Sequence, residues 1–319
     1  MCPDRWSDPD AVSTAAAVLG PRARSDAPLG ALTTSRVGGP AAVAFEISSA
    51  ADLQCAREAS EASGLEIIVF GRGSNVLVAD RGFEGIALFL GEAYSGIEID
   101  HAETTVTAGA AVVLPVLARR CASVGIGGLE WAVGVPGSVG GAVRMNAGGH
   151  GSDLASCLID ADIADLDSQD TPPLVVCCQA EDLALGYRRS GLGDSDVVLR
   201  ARLQGHRTPP DAAMGRIADI VRWRREHQPG GQNSGSVFMN PPSDSAGARI
   251  DQAGLRGLRI GTAEISRVHA NFIVSDPGGT AADVVALMVE IRRRVAEKHG
   301  VTLQPEVRMV GFGDSPSLA

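Results

Sequence analysis

Ser236 stands in "RREHQPGGQNSGSVFMNPP" (224–242), where an arginine-rich segment runs into glycine turns and then into Asn240 and two prolines. A hydroxyl gives up its proton readily only to a strongly basic centre, and as a nucleophile it needs a base beside it. No base is adjacent here, so by composition alone Ser236 reads as a turn serine. Two other stretches have spacing that chemistry can use. In "GRGSN" (71–75), Gly71 and Gly73 let successive backbone N–H groups approach a phosphate closely, and Ser74 and Asn75 add side-chain donors. In "VGVPGSVGG" (133–141), Pro136 fixes one turn, and Gly137, Gly140 and Gly141 allow close backbone approach to a ligand. Neither is the dinucleotide fingerprint, because no helix carrying the third glycine follows the first loop. Either loop alone also fits an ordinary strand-to-turn glycine pair. Together they suggest one extended diphosphate cofactor between two subdomains.

The chain that must position these groups has 319 residues and is 45% hydrophobic, enough for two or three domains with a sizeable core. A net charge of −10 and 4% aromatic content argue against a nucleic-acid partner. The six cysteines (Cys2, Cys55, Cys121, Cys157, Cys177, Cys178) form no CxxC pair and no zinc spacing with histidine, so no metal is expected. No signal peptide opens the chain and no 18-residue apolar run occurs, so no membrane segment is expected and a cytoplasmic protein is the default. Lys298 is the only lysine.

Along the chain, residues 1–25 read as a loose tail or short helix, and "ADLQCAREASEASG" as an amphipathic helix ending at Gly64. "LEIIVF", "VLVAD", "GIALFL", "GIEID" and "TTVTAGA" read as strands, and "LPVLARRCASVG" as a helix stopped by Gly125. "LIDADIADLD" and "PPLVVCCQ" suggest a hairpin, with Cys177 and Cys178 on opposite faces. "DVVLRARLQG" is a further strand, and "RTPP" marks a boundary. A helix follows over 211–227, with Met214, Ile217, Ile220 and Val221 at helical spacing. The last helix is capped by Thr280 with Asp283 and ends at Gly300, before a final strand "LQPEVRMVGF". Strands without regular βαβ alternation point to an α+β fold.

Read together, these stretches resemble the MurB family of UDP-N-acetylenolpyruvylglucosamine reductases. "LTTSRVGGPA" is similar to its N-terminal signature, and "GRGSNVLVADRGFEG" to its first FAD loop. "GLEWAVGVPGSVGGAVRMNAGGHG" is similar to the second, which brings Gly134, Pro136, Gly137, Ser138, Gly140, Gly141 and Asn146 to the cofactor alongside Gly71, Arg72, Gly73, Ser74 and Asn75. "GYRRS", "GSVFMNP", "AGLRGLRIGTAEIS" with "HANFIV", and "QPEVRMVG" follow in the family's order. The resemblance implies a two-part FAD-binding region of the vanillyl-alcohol-oxidase-like type (26–92 and 93–208) after a tail (1–25), and a C-terminal α+β substrate-binding domain (209–319). The distance between "GYRRS" and "DVVLRARL" leaves no room for the extra tyrosine-bearing loop of one branch.

It further implies a monomeric enzyme in which NADPH reduces FAD and a UDP-linked enolpyruvyl sugar takes up a hydride and a proton. Arg188 matches the arginine that grips the substrate carboxylate, a task for a permanently charged fork. Ser236 matches the proton donor, and Glu306 the glutamate at the same centre; for Glu306 a salt bridge to Arg308 is the alternative. Asn240 matches a residue contacting the substrate diphosphate. Tyr187 goes with the substrate residues, in the same strand and with no chemical step of its own. Where the family has lysines, this chain has His227, Met239 and Val268, and His150 replaces an aromatic of the second loop. No residue is clearly placed for covalent flavin attachment, His150 being the one exception. Because none of the three lysines became arginine, a MurB-like flavoenzyme with a less anionic substrate is the alternative activity. A catalytically inert FAD-binding protein is disfavoured by the presence of Arg188, Ser236 and Glu306.

Overall fold

The computed structural model describes residues 5–170, 175–242 and 244–313. The chain divides into two units: one takes the residues before Asp26 with Val43–Arg72 and Gly85–Arg224, the other Asp26–Ala42, Gly73–Glu84 and the residues from Arg225 on.

In the first unit, α1 (Pro9–Leu19) is a formed helix and not a loose tail. Asp8 accepts the Ala11 N–H at 2.9 Å, and Ala11, Ala15 and Leu19, four residues apart, form its buried stripe. This face packs on α2 (Ala50–Ser63), which is capped by Ser49 and closed by a left-handed Gly64. An antiparallel sheet runs in the order Val175–Gln179, Leu158–Asp165, Asp196–Gln204, Thr105–Gly109, Ile97–Asp100. The expected hairpin is there, with Cys177 exposed and Cys178 turned towards the core. The expected start of its second strand, 172–174, lies outside the described residues. Helices α3 (Leu114–Ser123) and α4 (Val139–Met145) share the core with this sheet through Leu117, Cys121, Val139, Val143, Ala201 and Leu203. In α5 (Pro210–His227), Ala213 and Ile217 are buried while Met214 is 41% exposed. The inward stripe therefore starts one residue earlier than the apolar pattern suggests: a small alanine, not the methionine, faces the neighbouring layer.

A further sheet runs Arg24–Ala27, Ala41–Ile47, Phe83–Leu90, Ile67–Val69, and in Ala41–Ile47 every residue but Glu46 is buried.

The second unit holds α6 (Ala246–Gln252) and α7 (Ala281–His299), whose Val284, Leu287, Met288, Ile291 and Val295 share a core with an antiparallel sheet ordered Gln232–Ser236, Phe272–Ser275, Ala263–Ile265, Arg259–Ile260. Thr280 caps α7 as expected; the Asp283 carboxylate accepts from the N–H and hydroxyl of Thr262, while the Thr280 N–H donates to Thr262 Oγ1 at 3.0 Å. The free N–H groups of Ala281 and Ala282 go instead to the Asp80 carboxylate at 2.8 and 2.9 Å, an anion where the helix dipole favours one. The final strand is shorter than the pattern implies: Arg308–Val310 runs parallel to Val76–Val78, while Pro305, just before Glu306, makes a single antiparallel bridge to Phe238. Among the described residues no helix is long and apolar enough to cross a membrane.

Candidate active site and its flavin loops

Gly71, at the start of the first glycine loop, meets the second loop within the first unit. A Cβ added to Gly71 would lie 2.8 Å from Ser138 Oγ, so only glycine allows this approach. Ser138 is buried and caps α4 by accepting the Gly141 N–H at 3.4 Å. Gly140 packs against Ala110: its N–H donates to Ala110 O at 2.9 Å, and a Cβ there would stand 3.0 Å from Ala110 Cβ. Gly141 is the open position, with only Ser138 Oγ near, at 3.6 Å. Two loops in contact, one keeping an uncovered backbone, fit a diphosphate-bearing flavin held by main-chain donors.

Asn146 closes α4 in the left-handed conformation. Its amide nitrogen donates to Gly186 O at 3.0 Å and Asp153 Oδ2 at 3.3 Å, and its oxygen accepts the Ala155 N–H at 2.8 Å. A residue expected at the cofactor is thereby the brace between the second loop and "GYRRS". That segment is not a strand. Gly186 and Arg189 exchange both backbone hydrogen bonds (3.0 and 3.2 Å), leaving Tyr187 and Arg188 as a two-residue turn. Arg188 takes φ +57°, a region that costs a side-chain-bearing residue about 1–2 kcal/mol. Its Nη2 donates to Gly148 O at 3.1 Å, and its guanidinium carbon lies 5.3 Å from the centre of the Tyr187 ring, itself 53% exposed. Two residues beyond Gly148, the His150 ring stacks edge-on against Trp223 at 5.1 Å, over Gly134, where a Cβ would come within 2.6 Å of it. Burial, and then the Arg224 charge, push the His150 pKa down; burial also lowers that of Arg224.

Ser236, Glu306 and Asn75 belong to the second unit, where backbone bonds join their segments. Val237, next to Ser236, accepts the Glu306 N–H at 2.8 Å. Asn75 Nδ2 donates to Glu306 O at 3.0 Å, and Asn75 O accepts the Arg308 N–H at 3.0 Å. Gly73, at φ +58°, accepts the Thr34 N–H at 3.1 Å, tying the end of "GRGSN" to "LTTSRVGGPA". Ser236 and Glu306 are both half-buried, a hydroxyl and a carboxyl on adjoining segments. Asn240 Oδ1 accepts the Ala246 N–H of α6 at 3.0 Å. His227 is exposed at the end of α5, Val268 is exposed, and Met239 donates its N–H to Gln304 O at 2.9 Å. Asn271 escaped the residue-by-residue reading, although it lies in the "HANFIV" stretch. It is buried, and its side chain holds both backbone groups of Phe238. Among the described residues, no three His, Cys, Asp or Glu side chains gather as a metal site.

Comparison with known proteins places this geometry. A family described as FAD binding domain matches residues 40–168, and one described as UDP-N-acetylenolpyruvoylglucosamine reductase, C-terminal domain, matches 227–310. A UDP-N-acetylenolpyruvoylglucosamine reductase of Rubrobacter xylanophilus is 43% identical over 92% of this chain and 97% of its own, and one from a Synechococcus strain 42% over 91% and 93%. The crystal structure of the MurB reductase from Thermus caldophilus superposes with a TM-score of 0.76 at 34% identity, covering 90% of this chain and 99% of that one. The chain belongs to the UDP-N-acetylenolpyruvoylglucosamine reductase (MurB) family.

Proposed function

We propose that this protein reduces the enolpyruvyl ether of UDP-N-acetylglucosamine to UDP-N-acetylmuramate, consuming NADPH through FAD, as a cytoplasmic monomer in peptidoglycan precursor synthesis. The flavin region is taken as 26–92 and 93–208, and the substrate domain as 209–319. The observation that carries the reading is the hydrogen-bonded pairing of the Ser236 and Glu306 segments inside the reductase-type C-terminal domain. When bound, FAD supplies the hydride that it takes from NADPH. Gly71 and Gly141 would let its diphosphate region approach the backbone, and the Ser138 hydroxyl would donate to it.

The Arg188 guanidinium binds the substrate carboxylate through two parallel N–H···O bonds, which neutralise the charge that builds there as the double bond is reduced. Its fixed turn, with Tyr187 and Gly148 against the side chain, limits the orientations of that fork. Ser236 Oγ donates its proton to the carbon bearing the carboxylate. That carbon is basic enough to take a proton from an alcohol, so no general base is needed for this step. Glu306 holds the proton path at the hydroxyl and returns a proton to it. Asn240, Tyr187 and His227 contact the sugar-diphosphate part.

His227, Met239 and Val268 at lysine positions favour a second reading, a less anionic substrate for the same chemistry. The test is rescue of a bacterial strain depleted of its own reductase, together with NADPH oxidation by the purified holoenzyme when the UDP-linked enolpyruvyl sugar is added. Rescue and substrate-dependent oxidation are expected. Reduction of the flavin by NADPH without either would sink the first reading in favour of the second. In the first reading His227→Lys tightens substrate; equal affinity in both forms removes His227 from the site.

A further inference from the structure

The ladder that carries Ser236 is broken just before it. Gln232 pairs with Ser275 and Asn233 with Val274, but the next pair is Ser236 with Phe272, so one extra residue bulges out on the Ser236 side. Gly235, at φ +74°, makes that bulge. An interrupted ladder cannot transmit register from its N-terminal side, so the setting of the serine must come from the residues that follow.

There, three hydrogen bonds converge on one residue. Val237 donates its N–H to Asn271 O at 2.9 Å. Phe238 donates its N–H to Asn271 Oδ1 at 3.0 Å, and Asn271 Nδ2 returns a bond to Phe238 O at 2.8 Å. Asn271 is 3% exposed and Phe238 fully buried, so water cannot replace these bonds. A carboxamide presents a donor and an acceptor side by side at this reach whatever the pH, as a carboxyl group does only when protonated. Asn271 is itself held: its N–H donates to His269 Nδ1 at 3.3 Å. On the opposite edge, Glu306 and Met239 donate to Val237 O and Gln304 O, fixing the same segment to the glutamate.

We propose that Asn271 is a positioning residue for the reduction: its side-chain amide sets the strand that aims the Ser236 hydroxyl at the carbon being protonated. The proposal rests on Ser236 as proton donor. Asn271→Asp keeps the acceptor for the Phe238 N–H and turns the donor into a second acceptor facing the Phe238 carbonyl, which displaces the segment without emptying the site. In rapid mixing of the FAD-loaded enzymes, NADPH should reduce the flavin of Asn271→Asp at the wild-type rate. Reoxidation by the enolpyruvyl substrate should slow by up to ~10²-fold, the typical loss for a misplacement of about 1 Å. The fall should appear in kcat and not in KM. Ser236→Ala with Asn271→Asp should be no slower than Ser236→Ala alone, because a residue that acts through the hydroxyl has nothing left to aim. Multiplied losses in the double variant, or reoxidation at the wild-type rate in Asn271→Asp, overturn the proposal. If Asn271→Asp does not fold, Asn271→Ser carries the same comparison, with the thermal midpoint and flavin content measured separately. Loss of folding in both, with both half-reactions falling together in whatever folds, likewise overturns it. Wild-type reoxidation in Ser236→Ala alone overturns instead the reading of Ser236 on which the proposal rests.

Discussion

The two units lean on different devices, although Asn146 adds an amide brace in the first and Gly235 a positive φ in the second. In the first, position comes from missing side chains and strained backbone: Gly71 against Ser138, Gly140 against Ala110, Gly134 under His150, and left-handed Asn146, His150 and Arg188. In the second it comes from amide side chains that bond the main chain: Asn271 to Phe238, Asn75 to Glu306, Asn240 to Ala246. Close packing and strain fix a loop that must leave its backbone open to a large cofactor, since every added side chain would cover it. A strand that must aim one hydroxyl does better with hydrogen bonds, which fix direction as well as distance.

The largest effect that sharpens this contrast is at Arg188. In the proposed role Arg188 is the carboxylate fork; Arg188→Gly then costs ~1.5–3 kcal/mol for each charged hydrogen bond lost to substrate, so kcat/KM should fall by a factor of about 10 to 150 per bond. The same change relieves a φ of +57° and should raise thermal stability by at most ~1 kcal/mol. An activity loss accompanied by a lower melting temperature would show that the turn is not strained. Next come two neighbouring glycines with opposite expectations. Gly140→Val forces methyl groups onto Ala110 and should cost ~1–3 kcal/mol of stability. Gly141→Ala meets only Ser138 Oγ and adds a better helix former, so folding should hold or gain while FAD affinity falls. Thermal melts with and without added FAD separate the two; equal destabilisation would place protein, not cofactor, above Gly141.

The smallest effect is a pH dependence shared by both units. His150 is held below its usual pKa by burial and then Arg224, and His269 by burial and then Arg256. Between those lowered values and the unfolded value of ~6.5, the unfolded chain binds more protons, so stability rises with pH. The contribution is complete above ~6.5 and is lost as pH falls through the folded-state values. Protonated His269 also loses the acceptor that takes the Asn271 N–H. His150→Phe keeps a ring against Trp223 and should flatten part of the acid limb of melting temperature against pH; an unchanged limb contradicts the assignment.

How far the sequence carried the account depends on the distance over which each feature is determined. The cap at Thr280, the stops at Gly64 and Gly300 and the 158–179 hairpin are set within a few residues, and all formed where local chemistry put them. Features set by distant partners did not show. "GYRRS" looks extended until Gly186 pairs with Arg189, and nothing local shows that the Asn146 side chain bonds Gly186 and Asp153. Asn271 clamps a residue 33 positions away, which no periodicity reports. The family motif did carry a signal for it, because an asparagine buried between apolar residues must find bonds for both ends of its amide.

The division of labour is tested most directly by Ser236→Ala in single-turnover mixing. The prereduced enzyme is mixed anaerobically with the UDP-linked enolpyruvyl sugar while flavin absorbance is followed, and NADPH reduction of the same variant is timed separately. Reduction should proceed at the wild-type rate and reoxidation should slow by ~10²–10⁴-fold, the usual worth of a general acid. Reoxidation at the wild-type rate would contradict the account, because the proton would then come from a group other than Ser236.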